Sequence, residues 1–192
     1  MGSVVKGLAI TFFALLVCIP IMYFVTALPC YYQYNHKFGS HVVMAYDQAT
    51  FEGISEQIDV ILNNIYVEFE GMDFNRVYNT PFFWEQTYDN SLKAQVDYLN
   101  AIKSRTRNYI IQYNNLLNSS NSAMLEDWYH RSIMNLRTEM SRAGGLDWVI
   151  KNAWILEKYP FVYYMFNLGL IYLVLLIMMG LLLLLLLIEN RE

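Results

Sequence analysis

Charged residues are scarce in this sequence, and cysteine and histidine are scarcer still. Of the 192 residues, 16% are charged, two are cysteine and three are histidine, whereas roughly 25% of the residues in a typical soluble domain are charged. So few cysteines and histidines exclude a disulfide framework and a cysteine-rich zinc site. The net charge of −4 argues against nucleic-acid binding, which requires clustered lysine and arginine.

The sequence also lacks the short motifs of the common enzyme classes. It contains no phosphate-binding loop, dinucleotide fingerprint, nucleophile elbow or zinc-ligand spacing. We therefore expect no catalytic residue, no cofactor and no enzymatic activity. The weak exception is the pair Glu126 and His130, which lie four residues apart and share one face of a predicted helix. Because one such pair is half of a carboxylate-bridged metal site, we prefer an exposed ion pair to a metal site.

Two long apolar runs are present, one towards each end of the sequence. Residues 7–28 and 161–188 hold 22 and 28 residues without a charge. At a rise of about 1.5 Å per residue, either run forms a helix that crosses a hydrocarbon core about 30 Å thick. The sequence therefore predicts an all-α membrane protein with two transmembrane helices that bracket an extracytoplasmic antiparallel helical bundle.

The first run has an alternative interpretation as a cleaved signal peptide, because residues 25–27 are a passable small-residue cleavage site. A signal core usually has 7–15 apolar residues, and this run is longer, so a retained anchor is preferred. Basic residues around the runs do not decide the orientation, but long loops are translocated largely regardless of charge. We expect short cytoplasmic tails at residues 1–6 and 189–192, with residues 29–160 outside.

The middle segment is predicted to contain four helices. Their approximate bounds are 47–70, 84–117, 122–143 and 146–158. The first has an apolar face with three- and four-residue spacing, typical of an amphipathic helix, made by Phe51, Ile54, Ile58, Ile61, Leu62, Ile65 and Phe69. Gly71 is a natural stop for this helix. Short links predict that the main helices pack as antiparallel neighbours.

Aromatic residues cluster where the apolar runs meet the middle segment. The clusters are Tyr23, Phe24, Tyr31, Tyr32 and Tyr34, and Trp148, Trp154, Tyr159, Phe161, Tyr163, Tyr164 and Phe166. Tyrosine and tryptophan favour the membrane–water interface because each has an apolar ring and a polar group. We interpret both clusters as interfacial anchors on one membrane surface.

Three sets of residues are candidates for contact or modification. Small residues that let membrane helices approach closely are Gly7, Thr11, Ala14, Gly169 and Gly180. The acidic residues Glu52, Glu56 and Asp59 either face basic neighbours within the domain, which is the preferred interpretation, or meet a basic partner. Asn118 begins an Asn-Ser-Ser glycosylation sequon in a predicted turn.

These features predict a non-catalytic accessory or structural subunit of a membrane complex. Its expected partners are the lipid bilayer and other integral membrane subunits, in a homo- or hetero-oligomer, with no nucleic acid. One alternative is a two-span sensor or regulatory subunit that passes a signal to a membrane partner. A second is a channel-forming oligomer, which the absence of Asp, Glu, Lys, Arg and His from both apolar runs disfavours.

Overall fold

The computed structural model describes residues 3–78, 90–117, 122–142 and 148–189. Within these ranges the chain forms seven α-helices: α1 Ser3–Tyr34, α2 Ser40–Asp47, α3 Phe51–Glu68, α4 Leu92–Leu117, α5 Ser122–Arg142, α6 Trp148–Lys158 and α7 Pro160–Glu189. A five-residue π-helix, Asn35–Gly39, joins α1 to α2. The only extended pairing in the described part is one isolated bridge between Val77 and Ser91. The predicted all-α class is confirmed for these residues.

The N-terminal helical segment is longer than predicted. It passes through α1, the π-helix and α2 without a break as far as Asp47, whereas the sequence predicted a first helix ending at residue 28 and a second beginning near residue 47. Its buried residues recur every three or four positions: Cys30, Tyr34, Phe38, Val42 and Ala45. The same spacing is present in the sequence, but Tyr34 was assigned to the membrane interface.

Local capping sets the ends of α3. The side chain of Thr50 accepts a hydrogen bond from the backbone N–H of Gly53, at 3.1 Å, and this satisfies one of the donors left open at a helix start. The helix therefore begins at Phe51 rather than at residue 47. Beyond its end, Gly71 has a φ of +78°, a conformation that glycine adopts without steric cost.

The start of α4 also differs from the prediction. Its first residue is Leu92, and the hydroxyl of Ser91 accepts a hydrogen bond from the N–H of Ala94 at 3.1 Å. The predicted start at residue 84 falls in 79–89, outside the described residues. Helix α5 begins at residue 122 and α6 ends at residue 158, as predicted, and each end of α7 differs from the predicted position by one residue. The predicted end of α5 at residue 143 and the predicted start of α6 at residue 146 lie outside the described residues.

The helical bundle lies within residues 32–78, 90–117, 122–142 and 148–154, which belong to one compact unit. In it α3 packs against α2 and α4, and α4 packs against α5. The apolar face predicted for the first bundle helix is buried in full. Other residues of this unit with no exposed surface include Leu92, Leu99 and Ile102 of α4 and Leu136 and Met140 of α5. Each large aliphatic side chain buried in this way contributes about 1.5–3 kcal/mol.

The other compact unit contains residues 3–31 and 155–189. Its helices expose many large apolar side chains, among them Ile10, Phe13, Val17, Ile21, Val25 and Leu28 of α1 and Leu173, Leu175, Ile177, Met178, Leu181 and Leu184 of α7. The two helices meet where Gly180 lies against Phe12, since a Cβ atom on Gly180 would be 3.5 Å from the Phe12 ring. Apolar exposure on this scale is unusual for a protein surface in water.

The N-terminal helical segment is long and apolar enough to cross a membrane. It extends from Lys6 to Asp47, and it is the one helix of the described residues that meets this test. Within α7, the described residues contain one shorter apolar helical segment, Leu173–Leu182, which does not reach the length of this test. One N-terminal helix of membrane-spanning character is therefore present, while a second span and the orientation of the domain stay predictions.

The bundle core predicts a clear contrast between two isoleucines. Ile58 of α3 has no exposed surface, whereas Ile111 of α4 is 58% exposed. We expect Ile58→Ala to lower the free energy of unfolding by about 2–5 kcal/mol because it leaves a cavity, and Ile111→Ala to change it by less than about 0.5 kcal/mol. Chemical denaturation of the intact chain in detergent measures both, and equal losses would contradict this core.

Candidate functional site

The acidic side of α3 lines a groove on the surface of the bundle. Glu52, Glu56 and Asp59 form one wall of this groove, which has a volume of about 620 Å³, and Arg107 of α4 also lines it. Asp59 makes an ion pair with Lys103 of α4, which is the kind of intradomain pairing preferred from the sequence. Glu52 and Glu56 are exposed, so their carboxylates keep this surface, called here the acidic groove, negative.

The candidate metal pair lies on the surface of α5. The imidazole Nε2 of His130 is 3.8 Å from a carboxylate oxygen of Glu126, and the two side chains are 71% and 77% exposed. Among the described residues, no three His, Cys, Asp or Glu side chains converge on a point that would hold a metal ion. The pair is an exposed contact between two side chains that lie one helical turn apart on α5.

The small residues of the apolar helices have different surroundings. No atom lies within 4 Å of a Cβ built on Gly7, Ala14 is exposed, and the hydroxyl of Thr11 donates to the Gly7 carbonyl at 3.0 Å. This face of α1 is open in the described part, whereas Gly180 contacts α1 of the same chain. The side chains around Gly169, and the sequon residue Asn118, lie outside the described residues.

The π-helix at residues 35–39 is a feature that the sequence analysis missed. The ammonium of Lys37 pairs with the carboxylate of Glu68 and lies 5.2 Å from the centroid of the Trp154 ring. The carbonyl of Lys37 accepts a hydrogen bond from the side-chain amide of Asn64. A π-helix is rare and departs from the regular α-helical hydrogen-bonding pattern. Here α3 and α6 supply the contacts that stabilise it.

An aromatic cluster surrounds the same π-helix. Phe38 is fully buried, and its ring centroid lies 5.7 Å from that of Tyr34, 6.2 Å from Phe69 and 5.8 Å from Trp154. Tyr34 and Trp154 were predicted to be interfacial anchors, but both are buried in this structure. Spacing along the sequence does not reveal these contacts, because the rings come from three distant segments.

Residues in the C-terminal part of α5 make hydrogen bonds with the end of α2. One guanidinium nitrogen of Arg137 donates to the carbonyls of Asp47 and Gln48, at 3.2 and 2.9 Å. Carbonyls at the end of a helix have no hydrogen-bond partner within the helix, and Arg137 supplies one here. The hydroxyl of Tyr46 also donates to the carbonyl of Met140, at 2.6 Å. The sequence contains no signal for these contacts, since they join residues about ninety positions apart.

A third set of contacts joins α4 to α5. The hydroxyl of Tyr98 donates to the carbonyl of Glu139 at 2.8 Å, and Arg105 makes an ion pair with the Glu139 carboxylate. Burial, with a further contribution from the nearby Glu139 carboxylate, raises the pKa of Tyr98 to about 12. The neutral hydroxyl is therefore a structural donor over the whole physiological pH range.

A second depression, called here the aromatic pocket, lies between α4 and α5. Its volume is about 410 Å³, and its lining residues are Tyr109, Met124, Trp128, Arg131, Ser132 and Asn135. The rings of Tyr109 and Trp128 meet edge to face, with centroids 5.9 Å apart. Residue spacing in the sequence did not predict this pocket.

The raised pKa of Tyr98 predicts a loss of stability in alkali. A tyrosine with a higher pKa in the folded than in the unfolded chain stabilises the fold below pH 10, and this contribution is lost as the pH rises from about 10 to about 12. Tyr98→Phe should therefore flatten the fall in unfolding free energy over this range. Tyr66→Phe, at a residue that is 53% exposed, is the control. Identical pH profiles for wild type and Tyr98→Phe would contradict the assignment.

The described surfaces therefore comprise an acidic groove, an aromatic pocket and an exposed apolar face on α1, and they contain no cluster of metal-binding side chains. Function in this chain must be inferred from these surfaces and from the polar contacts that hold the bundle together. Comparison of the chain with protein-family models, with curated proteins and with solved structures finds no match.

Proposed function

We propose that this protein is a non-catalytic accessory subunit of a multi-subunit membrane complex. In this proposal two transmembrane helices, residues 7–28 and 161–188, hold the bundle on the extracytoplasmic side, where it docks on a partner subunit. The observation that carries the proposal is the contrast between a filled bundle core and the extensive exposed apolar surface of α1 and α7. A bilayer, or a partner within it, is the environment in which such a surface is stable.

Contact between α1 and α7 supports a pair of membrane helices. Phe13 and Leu28 of α1 are 63% and 69% exposed, and Leu184 of α7 is 57% exposed. The close approach of Gly180 to Phe12 is typical of helix packing in lipid, where small residues allow extensive van der Waals contact. Hydrocarbon would surround the remaining apolar side chains, and the open face at Gly7 is available to another membrane helix.

The polar side chains of the bundle support a structural role. Lys37, Arg137 and Tyr98 each bind a group on a neighbouring helix, so their donors stabilise packing. The acidic groove is the charged surface that we assign to docking, because Glu52 and Glu56 remain exposed beside it. A partner with a basic segment would complement this groove.

The channel-forming alternative is less well supported than the accessory role. An ion pathway needs polar or charged groups within the membrane, and residues 7–28 and 161–188 contain no Asp, Glu, Lys, Arg or His. The sensor alternative requires a ligand site in the outer domain, for which the aromatic pocket is the candidate.

Purification of the intact tagged chain from its native membrane in a gentle detergent tests the proposal. We expect it to copurify in fixed stoichiometry with larger membrane subunits. Replacement of both groove carboxylates, Glu52→Gln with Glu56→Gln, should weaken this association by removing charge complementarity. Glu126→Gln is the matched control, since Glu126 is 77% exposed on α5. A monodisperse monomer, or no difference between the groove variant and the control, would contradict the proposal.

A further inference from the structure

We propose that the aromatic pocket between α4 and α5 binds a small aromatic carboxylate. This proposal concerns a ligand, and it stands independently of the accessory function and of the acidic groove. The pocket volume of about 410 Å³ falls within the range of about 300–1,000 Å³ that is common for small-molecule sites. Its lining combines aromatic rings with a cationic side chain, and each of these selects a different part of such a ligand.

The aromatic part of the lining is held in place by a buried residue. Phe51 is 1% exposed, and its ring centroid lies 5.6 Å from that of Tyr109 and 6.3 Å from that of Trp128. Tyr109 and Trp128 also meet edge to face, so their relative orientation is set before any ligand binds. Fixed aromatic rings favour a planar aromatic guest, which packs against one ring face and the edge of another.

The entrance of the pocket adds an adaptable apolar side chain. Met124 lines the pocket and is 72% exposed. A methionine side chain is flexible and polarisable, and its sulfur makes favourable contacts with aromatic rings. Met124 therefore supplies apolar contact that adjusts to the size of the guest, whereas the two rings define its plane.

The polar part of the lining selects an acidic group. Arg131, Ser132 and Asn135 are within five consecutive residues of α5 and line the same pocket. The guanidinium of Arg131 already pairs with Asp127 of the preceding turn, but it has five N–H donors and so retains capacity for a second carboxylate. Among the described residues that line the pocket, none is acidic. Arg131 is therefore the charged group in this lining, and the guanidinium donors that Asp127 does not use are the ones we assign to the carboxylate of a ligand.

Ser132 gives the pocket a polar group at depth. It is 5% exposed, the most buried of the lining residues, whereas Arg131 is 72% exposed. A hydroxyl and a guanidinium at different depths fit a ligand whose ring enters the pocket and whose carboxylate stays near its edge. The acidic groove, lined by three carboxylates, has the opposite charge and is an internal reference for nonspecific anion binding.

Titration of the intact chain in detergent with phenylacetate tests the proposal. Binding is followed by calorimetry and by tryptophan fluorescence, with phenylacetamide as the neutral analogue. We expect saturable binding of phenylacetate and weaker binding of the amide. Arg131→Gln should weaken phenylacetate binding by about tenfold, the effect of losing one charge-assisted contact. Trp128→Phe should remove the fluorescence response and leave binding detectable by calorimetry.

The matched control is Arg107→Gln, which removes the same charge from the acidic groove on α4. We expect this variant to bind phenylacetate as the wild type does, and circular dichroism checks that both arginine variants keep their helical content. Three outcomes would overturn the proposal: no saturable binding of phenylacetate, benzoate or indole-3-acetate up to about 10 mM; equal effects of the two arginine variants; or equal affinity for phenylacetate and phenylacetamide.

Discussion

The apolar surface of α1 is the constraint on which the rest of this protein depends. Its exposed side chains extend from Ile10 to Leu28, and the other described residues of its compact unit leave them uncovered. Exposure of such a surface to water costs roughly 25 cal/mol of free energy for each Å² of apolar area. Lipid or another apolar helix is therefore the environment that stabilises it. The same constraint explains why polar residues are concentrated in the middle of the sequence, where the bundle forms.

Within the bundle, stability and geometry come from different groups. Aliphatic residues of α3, α4 and α5 fill the core and provide most of the apolar burial. Polar side chains act at the helix ends, where Arg137 and Tyr46 join α2 to α5. The π-helix is stabilised by the ion pair that Lys37 makes with α3 and by the hydrogen bond from Asn64 to the Lys37 carbonyl. Core burial thus drives association of the helices, and polar contacts fix their registers.

Local periodicity predicted the regular part of this structure well. The apolar face of α3 and the positions of α5 and α6 follow from residue spacing. The apolar residues on the buried face of an amphipathic helix recur every three or four positions in the sequence, so they can be identified without a structure. The helical path across residues 29–46 was missed, although Tyr34, Phe38 and Val42 have helical spacing, because aromatic residues near an apolar run also suit a membrane interface. The π-helix, the acidic groove and the aromatic pocket depend on contacts between different segments of the chain. Periodicity within one helix does not predict such contacts.

Accessibility labelling in sealed cells tests the two-span arrangement most directly. Single cysteines are introduced by Met124→Cys in the bundle, Lys6→Cys before α1 and Glu192→Cys after α7, in a chain where Cys18 and Cys30 are replaced by alanine. A membrane-impermeant maleimide should label position 124 in sealed cells, and positions 6 and 192 only after permeabilisation. Labelling of position 192 in sealed cells to the same extent as position 124 would contradict a second span.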